Sequence, residues 1–229
     1  MHDRRQWSFL IPAAGEGTRL GLGPKASLKL VGRTLLAWAV EKAAAISDDI
    51  IVAVPDSAVA PLAEEYPRCT FVNGGATRQD SVRNLLDRAR CEWLMVHDVA
   101  RPFCSPALMV AVAAAASDTG AASAFGPLDV PVAIIEDGLV AGHLGSRRAG
   151  LFQSPLAFRR DILARSYARA AASNRQAQST LELVIDAGYK VRAVPGERTN
   201  IKITTADDMA LAELLAERLM APDGRQPPP

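Results

Sequence analysis

The chain has 229 residues, and its 26 lysines and arginines are nearly balanced by 25 aspartates and glutamates, which gives a formal net charge of +1. This balance argues against nucleic acid or an anionic membrane surface as a partner. The three cysteines, Cys69, Cys91 and Cys104, lack metal-ligand spacing, and no stretch reads as a signal peptide or a membrane span. We therefore expect a cytoplasmic α/β protein with one large domain and no metal site made by its side chains.

A short apolar strand, Phe9 to Ile11, runs into a glycine-rich loop near the start of the chain. The loop after the first strand of an open α/β sheet faces the ligand crevice. Gly15 and Gly17 allow backbone N–H groups to approach an anion, and Arg19 and Lys25 bring positive charge to the same loop. We interpret this loop as a triphosphate cradle; the alternative is a simple turn with solvated basic residues.

Two other phosphate-binding loops are excluded by their spacing. A dinucleotide fingerprint needs glycine or alanine at the position of Leu20, so a dehydrogenase that uses NAD is not favoured. A P-loop needs its lysine directly after glycine, whereas Lys25 follows Pro24.

Strands and helices alternate along most of the chain. We predict strands over 49–55, 70–73, 93–96, 121–127 and 189–194, and helices over 34–46, 58–66, 78–89, 105–117, 156–172, 181–187 and 209–220. This order indicates a Rossmann-like, mostly parallel sheet flanked by helices. We assign residues 1–127 and 149–221 to one domain, and residues 222–229 to a disordered tail.

The segment 128–148 differs from the rest, because two apolar β-prone runs flank Glu136-Asp137-Gly138. Such a pattern predicts a β-hairpin. A two-stranded ribbon is barely stable alone, so we expect it to be an arm that packs on a second copy of the chain. The alternative is a hairpin that lies on its own domain.

Charged residues follow the predicted strand 93–96. Asp98 and Arg101 stand where an open α/β sheet places its chemistry, although a local ion pair between them is the alternative. His97 fits a hydrogen-bonded structural residue better than a base. Farther on, Lys202 lies in a β-prone segment, where it is either a third cation for phosphate or a solvated edge lysine.

Four ordered motifs carry a family resemblance: PAAGEGTRLGLGPK at 12–25, GGATRQDSV at 74–82, VHDVARPF at 96–103 and NIKIT at 200–204. Together they span essentially the whole chain, which resembles the 2-C-methyl-D-erythritol 4-phosphate cytidylyltransferases; ribitol-5-phosphate cytidylyltransferases share much of the set. The resemblance implies a nucleotidyltransferase fold and a homodimer with exchanged arms. It also implies transfer of a cytidylyl group from CTP to a sugar-alcohol phosphate, with Mg²⁺ held mainly by the triphosphate.

The resemblance also implies a role for each matching position. Arg19, Lys25 and Lys202 would be the catalytic cations around the phosphates. Pro12, Ala13, Ala14, Gly15, Gly75 and Ser81 would surround the nucleotide. Asp98, Arg101, Ser154 and, from the neighbouring subunit, Arg148 would bind the acceptor.

The departures from the family pattern all fall on the acceptor side. A threonine that usually follows the aspartate is absent after Asp129, and the stretch 178–181 (QSTL) has lost both carboxylates of the family's Thr-Asp-Asp/Glu-Ala. Ser154 stands where the family has threonine. Our hypothesis is that nucleotide use is intact while the acceptor site is altered. The open alternatives are ribitol 5-phosphate or another polyol phosphate as acceptor, and a protein that binds CTP without catalysis.

Overall fold

The structure, a computed structural model, describes residues 3–17 and 23–220. Its strands are β1 (Trp7–Pro12), β2 (Lys29–Leu30), β3 (Arg33–Thr34), β4 (Asp49–Val54), β5 (Cys69–Asn73), β6 (Trp93–Val96), β7 (Ala121–Gly126), β8 (Val132–Glu136), β9 (Leu139–Leu144), β10 (Leu151–Arg159) and β11 (Arg192–Pro195). Its α-helices are α1 (Leu35–Ile46), α2 (Asp56–Glu65), α3 (Arg78–Arg88), α4 (Pro106–Thr119), α5 (Arg160–Ala172), α6 (Thr180–Asp186) and α7 (Ala206–Met220). The predicted tail at 222–229 lies outside the described residues.

Seven strands form the central sheet in the order β11-β7-β10-β6-β1-β4-β5. All pairs are parallel except those of β10, which runs antiparallel to both β6 and β7. The predicted mostly parallel α/β sheet is therefore confirmed. Successive residues of β1 point to opposite faces, since Phe9 and Ile11 join one core cluster while Leu10 joins the other. Both faces of the sheet are thus covered, as a parallel sheet requires.

The predicted helix over 156–172 is wrong in its first part, because residues 151–159 form strand β10 and the helix begins at Arg160. Leu156 and Phe158 pack on one face of the sheet and Ala157 on the other. A strand that is buried on both faces has no polar alternation, so its apolar run cannot be told from a buried helix by pattern alone.

The segment that carries Lys202 is also different from the prediction, because residues 201–204 belong to neither a strand nor a helix. Its successive side chains nevertheless lie in different environments. Ile203 is fully buried in the core, while Lys202 remains partly exposed. The helix that follows begins with a capping box, in which the side chains of Thr205 and Asp208 each accept a hydrogen bond from the backbone N–H of the other.

The hairpin β8-β9 is a separate two-stranded sheet that extends from the central one. Its turn residues Asp137 and Gly138 have φ angles of 50° and 79°, as the tight turn of a two-residue hairpin requires. Residues of both strands are exposed almost throughout, including Leu139 at 74% and Val140 at 71%. In this chain the two strands of the hairpin therefore leave most of their side chains exposed.

Candidate active site

A cleft of about 580 Å³ opens where the parallel strands β1, β5 and β6 reach their carboxyl ends. It is lined by residues 12–16, Lys25, residues 75–78, Ser81, residues 98–100 and Lys202. Open α/β sheets bind their ligands at this edge. All six residues that we predicted to surround a nucleotide therefore lie on the walls of one cleft.

The loop after β1 is anchored at both of its ends. The Ala13 N–H donates to the carbonyl oxygen of Ala53 at 2.8 Å, and the Lys25 N–H donates to the carbonyl oxygen of Gly15 at 3.3 Å. Gly17 has a φ of 65°, and a Cβ there would stand 2.3 Å from the carbonyl oxygen of Gly23. Only glycine fits where the two sides of the loop meet. Arg19 lies outside the described residues, so its predicted role stays a prediction.

Lys25 and Lys202 come from opposite ends of the chain and line the same cleft. The Lys25 ammonium donates to the carbonyl oxygen of Ile203 at 2.8 Å, directly beside Lys202. The Lys202 ammonium donates to Oδ2 of Asp98 at 2.9 Å. Lys202 is therefore a cleft residue and not a solvated edge lysine.

The second glycine turn forms a close main-chain wall. The Gly75 N–H donates to Ser81 Oγ at 3.0 Å, and the Ser81 hydroxyl donates to the carbonyl oxygen of Thr77 at 3.0 Å. A Cβ on Gly75 would stand 2.2 Å from the Cβ of Asp80. Thr77 and Asp80 form the capping box that begins α3 and fixes the turn. Ser81 thus shapes the wall through its hydroxyl.

Asp98 is buried between two cations. Its Oδ1 accepts from Nε and Nη2 of Arg78, at 3.1 and 2.7 Å, and its Oδ2 accepts from Lys202. Burial by itself would raise the pKa of Asp98, but the charges of Arg78 and Lys202 hold this pKa well below its ordinary value. Asp98 is therefore ionised. Arg78 was not among the predicted site residues, although it lies inside the GGATRQDSV motif.

Arg101 does not form the local ion pair with Asp98 that was the alternative. Its terminal nitrogens donate to the carbonyl oxygens of Asn200 at 2.5 Å and Phe152 at 3.0 Å. It is buried, and among the described residues its Nε has no hydrogen-bond partner. Arg101 thereby links β10 to the segment that leads into Lys202.

A fully buried histidine organises the loop after β6. The carbonyl oxygen of Arg101 can only accept, so His97 Nε2–H donates to it at 3.2 Å. His97 Nδ1 then accepts from the Ser154 hydroxyl at 3.1 Å, and Ser154 Oγ accepts from the Asp98 N–H at 3.0 Å. Burial lowers the pKa of His97 to about 4, which matches this neutral tautomer. His97 is thus the structural residue predicted, and the hydroxyl of Ser154 is already engaged.

A second cavity of about 80 Å³ adjoins the cleft. Its polar lining comprises Arg78, Asp98, Arg101, Gln153, Ser154, Gln178, Ser179, Thr180 and Lys202. Three of the four predicted acceptor residues, Asp98, Arg101 and Ser154, therefore lie together. The fourth, Arg148, is exposed in a 3₁₀ turn at the base of the hairpin and does not line the cleft or this cavity in its own chain.

The donor set of the cleft bears on how a metal ion could be held. Within residues 3–17 and 23–220, no three His, Cys, Asp or Glu side chains are grouped so as to hold a metal ion. The carboxylates on the cleft wall are Glu16 and Asp98, and both oxygens of Asp98 already accept from cations. Mg²⁺ is often bound through substrate phosphates with few protein ligands, and this cleft fits that mode.

The parallel sheet, the cationic cleft at its carboxyl edge and the close main-chain turn define a nucleotidyltransferase. In keeping with this, two crystal structures match the fold. One is 2-C-methyl-D-erythritol 4-phosphate cytidylyltransferase from Thermus thermophilus, with a TM-score of 0.81 and 38% identity over 92% of this chain and 98% of that one. The other is 4-diphosphocytidyl-2C-methyl-D-erythritol synthase from Anaerococcus prevotii, with a TM-score of 0.82 and 26% identity over 94% of this chain and all of that one.

Sequence comparison identifies the family. The family model described as "IspD: 2-C-methyl-D-erythritol 4-phosphate cytidylyltransferase" matches residues 8–218. A relative of that name from Deinococcus radiodurans is 42% identical over 90% of this chain and 88% of its own length. This chain therefore belongs to the 2-C-methyl-D-erythritol 4-phosphate cytidylyltransferase family. In the part of the chain that the structure describes, no helix has the length and apolar character needed to span a membrane.

Proposed function

We propose that this protein transfers the cytidylyl group of CTP to 2-C-methyl-D-erythritol 4-phosphate and releases pyrophosphate. The observation that carries the proposal is the convergence of Lys25 and Lys202 on one cleft, opposite a close main-chain turn, in a chain of this family. The cytoplasmic location remains a prediction.

In the proposed reaction, an oxygen of the acceptor phosphate attacks the α-phosphorus of CTP. The new P–O bond forms as the bond from the α-phosphorus to the bridging oxygen breaks, and pyrophosphate leaves with that electron pair. The attacking oxygen is already ionised, so the step needs no side-chain base. The protein's task is to align two anions and offset their repulsion.

The residues of the cleft suit these tasks. Lys25 and Lys202, with Arg19 as a predicted third cation, would stabilise charge on the phosphates. Residues 75–81 would enclose the base with main chain. Asp98 and Arg101 would line the acceptor subsite, joined by Arg148 of a neighbouring subunit. Ser154 would contribute by holding Asp98, because its hydrogen is used for His97.

We further propose Mg²⁺ as the cofactor, carried on the triphosphate because the cleft wall offers few free carboxylate oxygens. When bound, the ion would neutralise phosphate charge and favour departure of pyrophosphate. Lys25 and Lys202 would bind the phosphate oxygens that the ion leaves uncovered.

Pyrophosphate release from CTP and Mg²⁺ should be measured with methylerythritol phosphate and, separately, with ribitol 5-phosphate. We expect the higher kcat/KM with methylerythritol phosphate. A preference for ribitol 5-phosphate would assign the alternative acceptor. CTP binding by titration calorimetry without pyrophosphate release from either acceptor would contradict catalysis, and the absence of CTP binding would contradict nucleotide use.

We infer that the protein is a homodimer whose hairpins β8-β9 pack on the partner. The exposed apolar side chains of the hairpin support this, since such a patch in water usually marks an interface. Leu139→Asp with Val140→Asp is expected to convert a dimer to a monomer in light scattering and to lower activity, because Arg148 would no longer reach the neighbouring site. The control Val110→Asp, at an exposed position of α4, should remain dimeric. A wild-type monomer would contradict the inference.

A further inference from the structure

Arg78 holds the Asp98 carboxylate and reaches a third element of the fold at the same time. It is the first residue of α3, and two of its nitrogens donate to Oδ1 of Asp98, at 3.1 and 2.7 Å. Its remaining nitrogen, Nη1, donates to Oγ1 of Thr180 at 3.0 Å, at the first residue of α6. One planar side chain therefore ties the loop after β6 to two helices.

Arg78, Asp98 and Lys202 line both the cleft and the smaller cavity. They form the wall that the two spaces share, with two positive charges around one negative charge. This wall is where the α-phosphate of a nucleotide and the phosphate of an acceptor would meet.

We propose that Arg78 is a positioning residue for the cytidylyl transfer: it fixes Asp98, and through Asp98 it holds the Lys202 ammonium at the wall between the two substrate subsites. This inference rests on the proposed function. Lysine carries a flexible four-carbon stem, so it needs such an anchor to keep its charge in one place. The rigid guanidinium fork of Arg78 matches a carboxylate and can provide the anchor.

The local sequence makes this contact more important in this chain. Positions 178–180 are Gln, Ser and Thr, so the α6 side of the cavity offers Arg78 a hydroxyl and no carboxylate. Asp98 is the carboxylate with which Arg78 forms an ion pair. Loss of Arg78 would leave Asp98 with Lys202 as its direct cationic partner, while burial continues to favour the protonated form.

The test compares Arg78→Met and Arg78→Lys with the control Arg83→Met, which removes an exposed arginine from the same helix. Pyrophosphate release is measured from pH 5 to 9. We expect Arg78→Met to lower kcat/KM by about 10²-fold through misplacement of Lys202, and Arg83→Met to change it by less than about twofold.

The pH profile separates positioning from a merely structural role. Three of the groups that face Asp98 remain in Arg78→Met: Lys202, Arg101 and the neutral His97. The positive charge that lowers the pKa of Asp98 most, that of Arg78, is gone. The acid limb of kcat/KM is therefore expected to move to higher pH. Arg78→Lys keeps the charge, so it should restore the acid limb, but a single ammonium cannot reproduce the forked contact and part of the loss in kcat/KM should persist.

The proposal would be overturned if the acid limb of Arg78→Met lay at the wild-type pH. It would also be overturned if Arg78→Lys showed the same loss of activity and the same pH profile as Arg78→Met. If Arg78→Met does not fold, Thr180→Val replaces it. Removal of the hydroxyl that accepts from Nη1 of Arg78 should lower kcat/KM by about threefold to tenfold. Wild-type kinetics in Thr180→Val would count against the proposal. The wild type is assayed first, so failure of the reaction itself is distinguished from failure of this inference.

Discussion

Replacement of Lys202 by methionine is expected to lower kcat/KM for pyrophosphate release by about 10²- to 10³-fold. The ammonium lies on the wall shared by the cleft and the acceptor cavity, where the reacting phosphates would meet. A fixed positive charge at that place stabilises the transition state more than the separate substrates. We therefore expect a larger fall in kcat than rise in KM for CTP, measured by initial rates of pyrophosphate release.

The matched control is Lys190→Met, which removes an exposed lysine shortly before β11. It should retain wild-type kcat and KM. Methionine fills a volume similar to that of lysine, so we expect Lys202→Met to fold. Its melting temperature checks this. Wild-type kcat/KM in a folded Lys202→Met protein would exclude Lys202 from the reaction and remove the main support for the proposed mechanism.

Apart from the two-residue strands β2 and β3, the order of helices and strands up to residue 127 could be predicted because each element carries its own local signal. Ser105, for example, is a residue type that favours the start of a helix, and its hydroxyl caps α4 by accepting from the Leu108 N–H. Strand β10 could not be predicted in this way. Its identity depends on pairing with β6 and β7, which lie far away in the chain, and its apolar residues fit a helix equally well.

The candidate site shows the same division. Lys25 and Asp98 could be found because positive charge in a glycine loop and charge after a buried strand are chemical signals in themselves. Lys202 was assigned through the family resemblance, since its own segment left two interpretations open. Arg78 gave no such signal, since an arginine in the first turn of a helix usually lies in solvent. Its partners are 20 and 102 residues away in the chain, and only the fold brings them together.

Ser154 shows why a residue type does not settle a role. Its hydroxyl was expected to contact an acceptor, yet its hydrogen is donated to His97 and its oxygen accepts from the Asp98 backbone. The geometry of the acceptor subsite therefore depends on a buried histidine that remains neutral. This dependence leads to a prediction about stability.

The free energy of unfolding is expected to fall by about 2 kcal/mol between pH 7 and pH 5 on account of His97 alone. Burial lowers its pKa from an ordinary 6.5 to about 4, so the unfolded chain binds the proton more readily than the native protein. This stability is fully present above pH 6.5 and is lost as the pH falls toward 4. The low pKa of Asp98 acts in a different range, because its contribution is present above the ordinary value of 3.8 and is lost only at lower pH.

Urea unfolding at pH 7 and pH 5 measures the effect, with His97→Gln as the variant. Glutamine can still donate to the Arg101 carbonyl oxygen and accept from Ser154, but it does not titrate. The variant is therefore expected to lose about 2 kcal/mol less than the wild type between the two pH values. His143→Gln, at an exposed position in β9, is the matched control and should keep the wild-type dependence. Equal losses in the wild type and His97→Gln would show that the imidazole is not held neutral in the native protein, and the assigned hydrogen bonds through Ser154 to Asp98 would then be wrong.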